Sequence, residues 1–163
     1  MAKKEVIKTK PVKVAEKTPK QPSFYQAVGR RREGTARVRL YVTEDKVVLK
    51  EKEIKKGDIV INGRPIENYF PGQIAPKLYL EPLRTTNTQG RFAISAIISG
   101  GGLSGQLGAF IHGLSRALIK VDTEKFRPLL KKKGYLMRDP RTKQRHMAGF
   151  AQKSRAKKQS PKR

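Results

Sequence analysis

Apolar and polar residues alternate from residue 35 to residue 42, where apolar side chains are separated by threonine, arginine and tyrosine. This period of two predicts a strand with one buried face and one outward face. Residues 24–31 predict its partner strand, and residues 32–34 predict the hairpin turn between them, in which Gly34 is free to take a positive φ.

A nearly continuous apolar run at residues 92–98 predicts a central strand that is covered on at least one face. It leads into a glycine-rich loop at residues 99–106. Apolar residues then recur at spacings of three and four, which predicts a long amphipathic helix with Gly108 and Gly113 as points of close backbone approach. The predicted buried stripe of this helix comprises Leu107, Phe110, Ile111, Leu114, Leu118 and Val121.

The residues between these strands predict smaller elements. Residues 41–57 predict an extra strand or an extended hairpin, and residues 59–61 predict a strand that enters a tight turn at 62–63. Pro65 is well placed to open a short helical turn, and residues 73–84 predict a partly helical segment.

The charge of the chain, +25 over 163 residues, is divided unevenly. Residues 1–22 carry seven lysines against two glutamates, residues 23–124 carry sixteen basic against ten acidic side chains, and residues 125–163 carry fifteen basic side chains against Asp139 alone. This division predicts a disordered arm at 1–22, a globular RNA-binding domain at 23–124 and a basic tail at 125–163. The arm is either a solubilising extension or an auxiliary RNA-binding arm.

The last part of the tail, residues 140–163, contains nine lysines or arginines and no acidic residue. Ordering a backbone costs about 1 to 2 kcal/mol per residue, which the few apolar side chains of this segment cannot offset. The segment is therefore predicted to be disordered alone and ordered against a polyanion.

Composition excludes several classes of function. The absence of cysteine excludes disulfides, thiolate catalysis and zinc ribbons, and it is typical of a reducing cytoplasm. No apolar stretch predicts a membrane span or a signal peptide, and no lipidation motif accompanies the basic tail, so we expect a soluble protein that is not exported. His112 and His146 have no obvious carboxylate or thiol partner, so no metal, catalytic constellation or cofactor is predicted.

Five arginines are predicted to cluster near the end of the first hairpin. Arginine presents a planar fork of donors to phosphate, which favours RNA as the ligand; the alternative is a solvated, charged strand edge. The five residues are Arg30, Arg31, Arg32, Arg37 and Arg39.

The glycine loop also has the spacing of a dinucleotide-binding motif, but the rest of that motif is missing. No further strand follows the long helix, and Asp122, the candidate ribose-binding acid, falls at the end of the helix. Gln106 and Leu107 occupy the positions at which a Walker loop has lysine and serine or threonine. Structural packing or close approach to an RNA backbone therefore explains these glycines better than nucleotide binding does. The three glycines are Gly100, Gly102 and Gly105.

With these motifs the chain resembles the small-subunit ribosomal protein nine family. The resemblance covers residues 24–163 and is specific because several motifs occur in the family's order. They are residues 27–40, residues 61–65 with Tyr69 and Phe70, residues 99–106, 113–118 and 136–141, and the final pair Lys162 and Arg163.

The resemblance implies an α+β fold in which helices pack a small mixed sheet with a left-handed βαβ crossover, flanked by extended basic N- and C-terminal tails. It implies a cytoplasmic structural constituent of the small-subunit head, without enzymatic activity, a membrane or a small-molecule substrate. The expected partners are the 3′ major domain of small-subunit rRNA, neighbouring ribosomal proteins of the head and the tRNA in the peptidyl (P) site.

Specific residues are expected to make these contacts. Lys162 and Arg163 are expected to bind the P-site tRNA. Contacts to rRNA are expected from Arg30, Arg31, Arg32, Arg37, Arg39, Gly101, Gly102, Gln106, Arg116, Arg138, Arg141, Lys143, Arg145, Lys153, Arg155, Lys157 and Lys158.

The chain departs from the family pattern in its N-terminal arm, at residues 41–57 and near its end, where Pro161 restricts the preceding residue to extended conformations. Two other classes of function stay open. A nucleoid or chromatin-type DNA-binding protein would also have basic arms around a small fold. A small-molecule kinase is suggested by the glycine loop and by a fold shared with that superfamily.

Overall fold

The computed structural model describes residues 24–42, 46–49 and 52–146. The predicted arm at 1–22 lies outside these residues. The same holds for the last expected RNA contacts, which are Lys153, Arg155, Lys157, Lys158, Lys162 and Arg163.

The described residues form seven strands and four helices. The first two hairpins consist of β1 (Phe24–Arg31) with β2 (Gly34–Tyr41) and β3 (Lys46–Leu49) with β4 (Lys52–Lys55). They are followed by β5 (Ile59–Ile61), β6 (Arg64–Pro65), α1 (Ile66–Tyr69), α2 (Ala75–Thr85), β7 (Ala93–Ser99), α3 (Leu103–Val121) and α4 (Thr123–Lys132).

The larger sheet has five strands in the order β1-β2-β7-β5-β6. The strand β7 is antiparallel to β2 and parallel to β5, so the sheet is mixed. The chain between β5 and β7 contains α1 and α2 and forms a crossover. The predicted α+β fold with a small mixed sheet packed by helices is thus confirmed, while the left-handed sense of the crossover stays a prediction.

One face of the sheet is covered by α3, whose apolar stripe lies over the central strands. Ile94, Ala96 and Ile98 of β7 are buried in the same core as Phe110 and Leu114, as the alternating pattern predicted. The helix comes so close to β1 that a Cβ atom on Gly29 would overlap the backbone of Ala109 and Gly113. The predicted close approach at Gly113 is therefore confirmed.

The turn of the first hairpin differs from the prediction. Arg31 pairs with Gly34, so only Arg32 and Glu33 lie in the turn, and the positive φ belongs to Arg32 (51°). Gly34 is the first residue of β2 and is buried, with the space for a Cβ limited by the backbone of Gly105. The predicted placement of Gly34 in the turn was wrong, because this glycine belongs to the strand and allows close packing there.

The predicted extended hairpin at residues 41–57 is confirmed as β3 and β4. Val47 and Ile54 of this hairpin form a second apolar cluster with Tyr41 and Ala93 of the larger sheet. The hairpin therefore covers one end of the face that α3 leaves open.

The C-terminal basic segment begins with a packed helix. Asp122 caps α4 by accepting a hydrogen bond from the backbone N–H of Lys125 (3.1 Å), and Phe126 and Leu130 are buried in the main core. The predicted boundary between domain and tail, at residue 125, thus falls inside α4. The spacing of four between the two apolar residues, after a capping aspartate, was the signal for this helix.

Candidate nucleic-acid interface

A row of polar side chains on α3 hydrogen-bonds the free edge of β1. The side chains lie four residues apart, a rise of about 6 Å on a helix, which matches two residues of a strand, about 6.7 Å. This match lets each side chain reach a backbone group that no neighbouring strand of the sheet order binds. The pairs are His112 with the N–H of Arg30 (3.3 Å), Arg116 with the carbonyl of Val28 (2.6 Å) and Lys120 with the carbonyl of Gln26 (2.7 Å).

A hollow of about 230 Å³ lies beside this row and is lined by three arginines. Arg30 comes from β1, Arg116 from α3 and Arg138 from the segment after α4, while Val28 and His112 complete the described lining. No carboxylate is among these lining residues. The structure thus brings together three arginines that the sequence placed far apart, which makes the hollow, hereafter the arginine hollow, a suitable receptor for an anion.

His112 is neutral in this setting. Burial lowers the pKa of its imidazole, and the positive charges of Arg116 and Arg138 act in the same direction. Its Nδ1 atom accepts a hydrogen bond from the backbone N–H of Arg30, so the proton of the neutral ring is on Nε2. The ring therefore adds hydrogen-bonding geometry to the hollow but no charge.

Arg37 and Arg39 extend from β2 on the face of the sheet that α3 does not cover. Arg37 is exposed and stands opposite Val28 in β1 and Ile97 in β7. Ile97 is 50% exposed, so this open face combines an arginine with apolar surface.

Arg39 is held in place on the same face. Its Nε atom donates to Oε1 of Gln26 at 3.0 Å, and its guanidinium lies 4.7 Å from the centre of the Phe24 ring. This geometry is a cation–π contact, which favours the observed conformation of the Arg39 side chain over solvated conformations without the contact.

The expected single cluster of five guanidiniums is divided in the structure. Arg31 follows Arg30 directly, so strand alternation turns it toward α3, where its side chain lies over Gly108. There it forms an ion pair with Asp139 at 3.2 Å. Arg32 is exposed at the hairpin turn. Arg31 and Arg32 thus stand apart from the arginine hollow and from the open face.

Asp139 binds a second arginine. The guanidinium of Arg141 donates two hydrogen bonds to this carboxylate, at 2.9 and 2.8 Å. These bonds, and the charge of the nearby Arg31, hold the pKa of Asp139 well below its usual value. Asp139 is the only acidic residue after residue 124, which was the available signal for this pairing.

A second contact holds the chain just before this point. Lys133 forms an ion pair with Glu81 of α2 at 3.2 Å, and Tyr135 hydrogen-bonds the same carboxylate. These bonds, led by that of Tyr135, lower the pKa of Glu81. Beyond the two contacts, Arg138, Lys143 and Arg145 are exposed in a segment without helix or strand among the described residues.

The glycine loop packs against the first hairpin. Gly100 and Gly101 have φ values of 74° and 63°, and a Cβ atom on Gly100 would lie 2.5 Å from the carbonyl oxygen of Glu33. The structure therefore supports the packing interpretation for these two glycines. Gly102, at the exposed start of α3, has open space around it.

The side-chain amide of Gln106 holds the glycine loop by hydrogen bonds. Its Nε2 atom donates to the carbonyl of Gly100 at 3.1 Å, and its Oε1 atom accepts from the hydroxyl of Tyr69 at 2.9 Å. Asn62 extends this network by bonding both the N–H (3.0 Å) and the carbonyl (2.9 Å) of Ile98. Gln106 thus has protein partners for both polar atoms of its amide.

The described part of the chain contains neither a candidate metal site nor a candidate membrane span. Within the described ranges, no group of three or more histidine, cysteine or acidic residues could hold a metal ion. No helix in the described part of the chain is long and apolar enough to cross a membrane.

Comparison with known proteins gives the family. The model of a family described as ribosomal protein S9/S16 matches residues 29–163. The chain is 41% identical over 130 residues to the small ribosomal subunit protein uS9 of Cutibacterium acnes, a match that covers 80% of this chain and 68% of the relative. The chain therefore belongs to the ribosomal protein S9/S16 family.

Proposed function

We propose that this protein is a structural component of the head of the small ribosomal subunit. In this role it binds the 3′ major domain of the rRNA and extends its C-terminal residues to the tRNA in the P site during translation. Its family consists of ribosomal structural proteins and is not an enzyme family. The remaining partners are neighbouring proteins of the head, and the expected location is the ribosome of the cytoplasm.

The arginine hollow is the observation that carries rRNA binding. Arg30, Arg116 and Arg138 surround a space of about 230 Å³ without an opposing carboxylate among its described lining residues. Guanidinium forks match phosphate oxygens, and contacts to phosphate position a protein on RNA without reading its sequence. The hollow therefore suits the sugar-phosphate backbone of a folded RNA.

Two features of the tail support the proposed contact with tRNA. They are its positive charge and the attachment of its first residues to the domain. Residues 140–163 carry nine basic side chains and no acidic one. The contacts of Asp139 with Arg31 and of Glu81 with Lys133 attach the start of this segment to the domain. Lys162 and Arg163, the last two residues, are the proposed tRNA ligands.

Removal of residues 161–163 tests the tRNA contact. We expect truncated particles to assemble nearly normally and to bind P-site tRNA more weakly than particles with the full chain. The double variant Gln159→Ala/Ser160→Ala, which removes polar atoms nearby but no charge, serves as the control. Equal tRNA affinity of truncated and full-length particles would refute this part of the proposal.

The variant Arg138→Gln tests the hollow. It should weaken binding to 3′-domain RNA in gel shifts, whereas Lys125→Gln, which removes an exposed positive charge from α4, should have a smaller effect. Random duplex DNA provides the comparison with a DNA-binding protein. Equal affinity for this DNA and for the folded RNA would favour that alternative.

A further inference from the structure

A second hollow of about 230 Å³ adjoins the arginine hollow. Arg30 and His112 line both hollows, so these two side chains form a common wall. A ligand in one hollow can therefore extend directly into the other. The second hollow, hereafter the tyrosine hollow, is also lined by the side chains of Arg31, Ile111, Tyr135, Met137 and Asp139.

The two hollows differ in charge. The arginine hollow has three arginines and no carboxylate among its described lining residues. In the tyrosine hollow, Arg31 forms an ion pair with Asp139 at 3.2 Å, so the charge of this arginine is compensated. The arginine hollow therefore favours a phosphate, whereas the tyrosine hollow favours a group without charge.

Three apolar side chains line the tyrosine hollow without being fully buried by the fold. Ile111 and Tyr135 are partly buried against the main core, and Met137 is 80% exposed. Single exposed apolar residues are common on protein surfaces, but these three line one hollow beside a cluster of arginines. Such a lining suits a flat group with apolar faces.

The turn that carries Tyr135 and Met137 is fixed to the end of α4. Gly134 has a φ of 76°, and the backbone N–H of Tyr135 donates to the carbonyl of Leu130 at 3.1 Å, as in a Schellman motif. The N–H of Met137 then donates to the carbonyl of Gly134 at 3.3 Å. This wall of the hollow is therefore in place before a ligand binds, which lowers the entropy cost of binding.

A nucleotide of RNA combines the two groups that the hollows favour. Its phosphate is an anion, and its base is neutral, flat and able to stack on tyrosine and arginine side chains. The tyrosine hollow is smaller than the roughly 300–1000 Å³ of sites for drug-sized molecules, which suits a single base. Bases in a double helix are stacked on their neighbours, so only an unpaired base can enter. An aliphatic side chain of another protein would leave the three arginines without an anion.

We propose that the tyrosine hollow binds the base of an unpaired rRNA nucleotide while an adjacent phosphate of the same strand occupies the arginine hollow. The identity of the RNA as rRNA rests on the proposed function, whereas the pairing of a base site with a phosphate site rests on the two hollows alone. The domain would thus recognise an unpaired position of the folded RNA as well as its backbone.

Ultraviolet cross-linking of the full-length protein to 3′-domain RNA tests the contact with a base, because this light joins bases only to side chains in direct contact. We expect mass spectrometry to find a nucleotide attached to Tyr135 or Met137, and we expect this nucleotide to be unpaired in the RNA. Cross-links that form only elsewhere on the protein, or a base-paired nucleotide on these residues, would overturn the proposal.

Substitutions in the tyrosine hollow test its contribution to affinity. In gel shifts with 3′-domain RNA, we expect about tenfold weaker binding for Tyr135→Leu and about threefold weaker binding for Met137→Ser. Tyr135→Phe keeps the ring and should bind nearly as the unaltered protein does. Met137 is exposed, so a loss in Met137→Ser does not arise from unfolding. The matched control Leu129→Ser changes a 46% exposed residue outside both hollows and should have no effect. An equal loss in this control, or no loss in Tyr135→Leu, would overturn the proposal.

An abasic site at the cross-linked nucleotide separates the base from the phosphate. It should weaken binding of the unaltered protein about tenfold and cause no further loss in Tyr135→Leu, because both changes remove the same contact. Additive losses would contradict a shared contact and overturn the proposal. If the abasic RNA binds normally while Arg138→Gln still weakens binding, this inference fails and the proposed rRNA binding stands. If the unaltered protein does not bind 3′-domain RNA, the proposed function fails as well.

Discussion

The Nδ1 atom of His112 accepts a hydrogen bond from the backbone N–H of Arg30 at 3.3 Å, so that one imidazole joins α3 to the edge of β1. The same ring lines the arginine hollow together with Arg138 of the segment after α4. Only a neutral ring can accept a hydrogen bond at Nδ1. His112 therefore stabilises the packing of α3 against the strand that carries Arg30 only while its ring is neutral.

Acid should weaken this connection. Burial lowers the folded-state pKa of His112 below the usual 6.5. The contribution to stability is therefore complete above pH 6.5 and is lost as the pH falls through the lower folded-state value. Urea unfolding followed by circular dichroism should show a loss of stability below pH 6.5 that is smaller in His112→Asn, whose amide oxygen can accept without titrating. An identical pH dependence in both proteins would contradict the prediction.

Loss of the Asp139 carboxylate should loosen the start of the tail. Asp139→Asn removes the negative charge that Arg31 and Arg141 share, and it weakens the acceptor of the Arg141 backbone N–H (3.1 Å). We expect faster hydrogen exchange at the Arg141 amide, measured by NMR at neutral pH. The control Asp122→Asn removes another paired carboxylate, but its effect should be confined to the first turn of α4. Unchanged exchange at Arg141 in Asp139→Asn would argue against the carboxylate as an anchor.

Local periodicity explains which parts of the fold the sequence predicts. The strands β1, β2 and β7 and the helix α3 carry clear periods of two or of three and four, and their positions are confirmed. The helix α4 was missed because only Phe126 and Leu130 mark its buried side among many charged residues. Two apolar residues alone thus do not predict a helix, and their role becomes clear only when the core against which they pack is known.

The candidate sites depend on contacts that no local pattern contains. Arg30, Arg116 and Arg138 were expected RNA contacts, but their meeting in one hollow depends on how α3 crosses β1 and on the path of the chain after α4.

Two glycine substitutions should have opposite effects on stability. In Gly29→Ala the new methyl group would overlap the backbone of Ala109 and Gly113, and we expect a loss of about 1–3 kcal/mol in the free energy of unfolding. In Gly105→Ala the new methyl group would meet its nearest atom, the carbonyl oxygen of Arg31, at an ordinary 3.6 Å. Alanine also favours the helix by roughly 1 kcal/mol, so this variant should be as stable as the original or more stable. Urea unfolding measures the stability of both variants. Equal effects would show that the close approach of α3 to β1 does not limit the size of the residue at position 29.

The salt dependence of RNA binding measures how the charge is shared between the tail and the domain. A protein that neutralises Z phosphates should lose affinity with a log-log slope of roughly −0.7Z to −0.9Z. Removal of residues 140–163 deletes nine positive side chains, so the slope measured with 3′-domain RNA should become much less steep. The residual slope then measures the contribution of the domain. The further variant Arg37→Gln should reduce this slope by the amount expected for about one phosphate contact. If the truncated protein keeps the full slope, the domain with its arginine hollow and open sheet face supplies the electrostatic attraction, and the tail contributes reach without affinity.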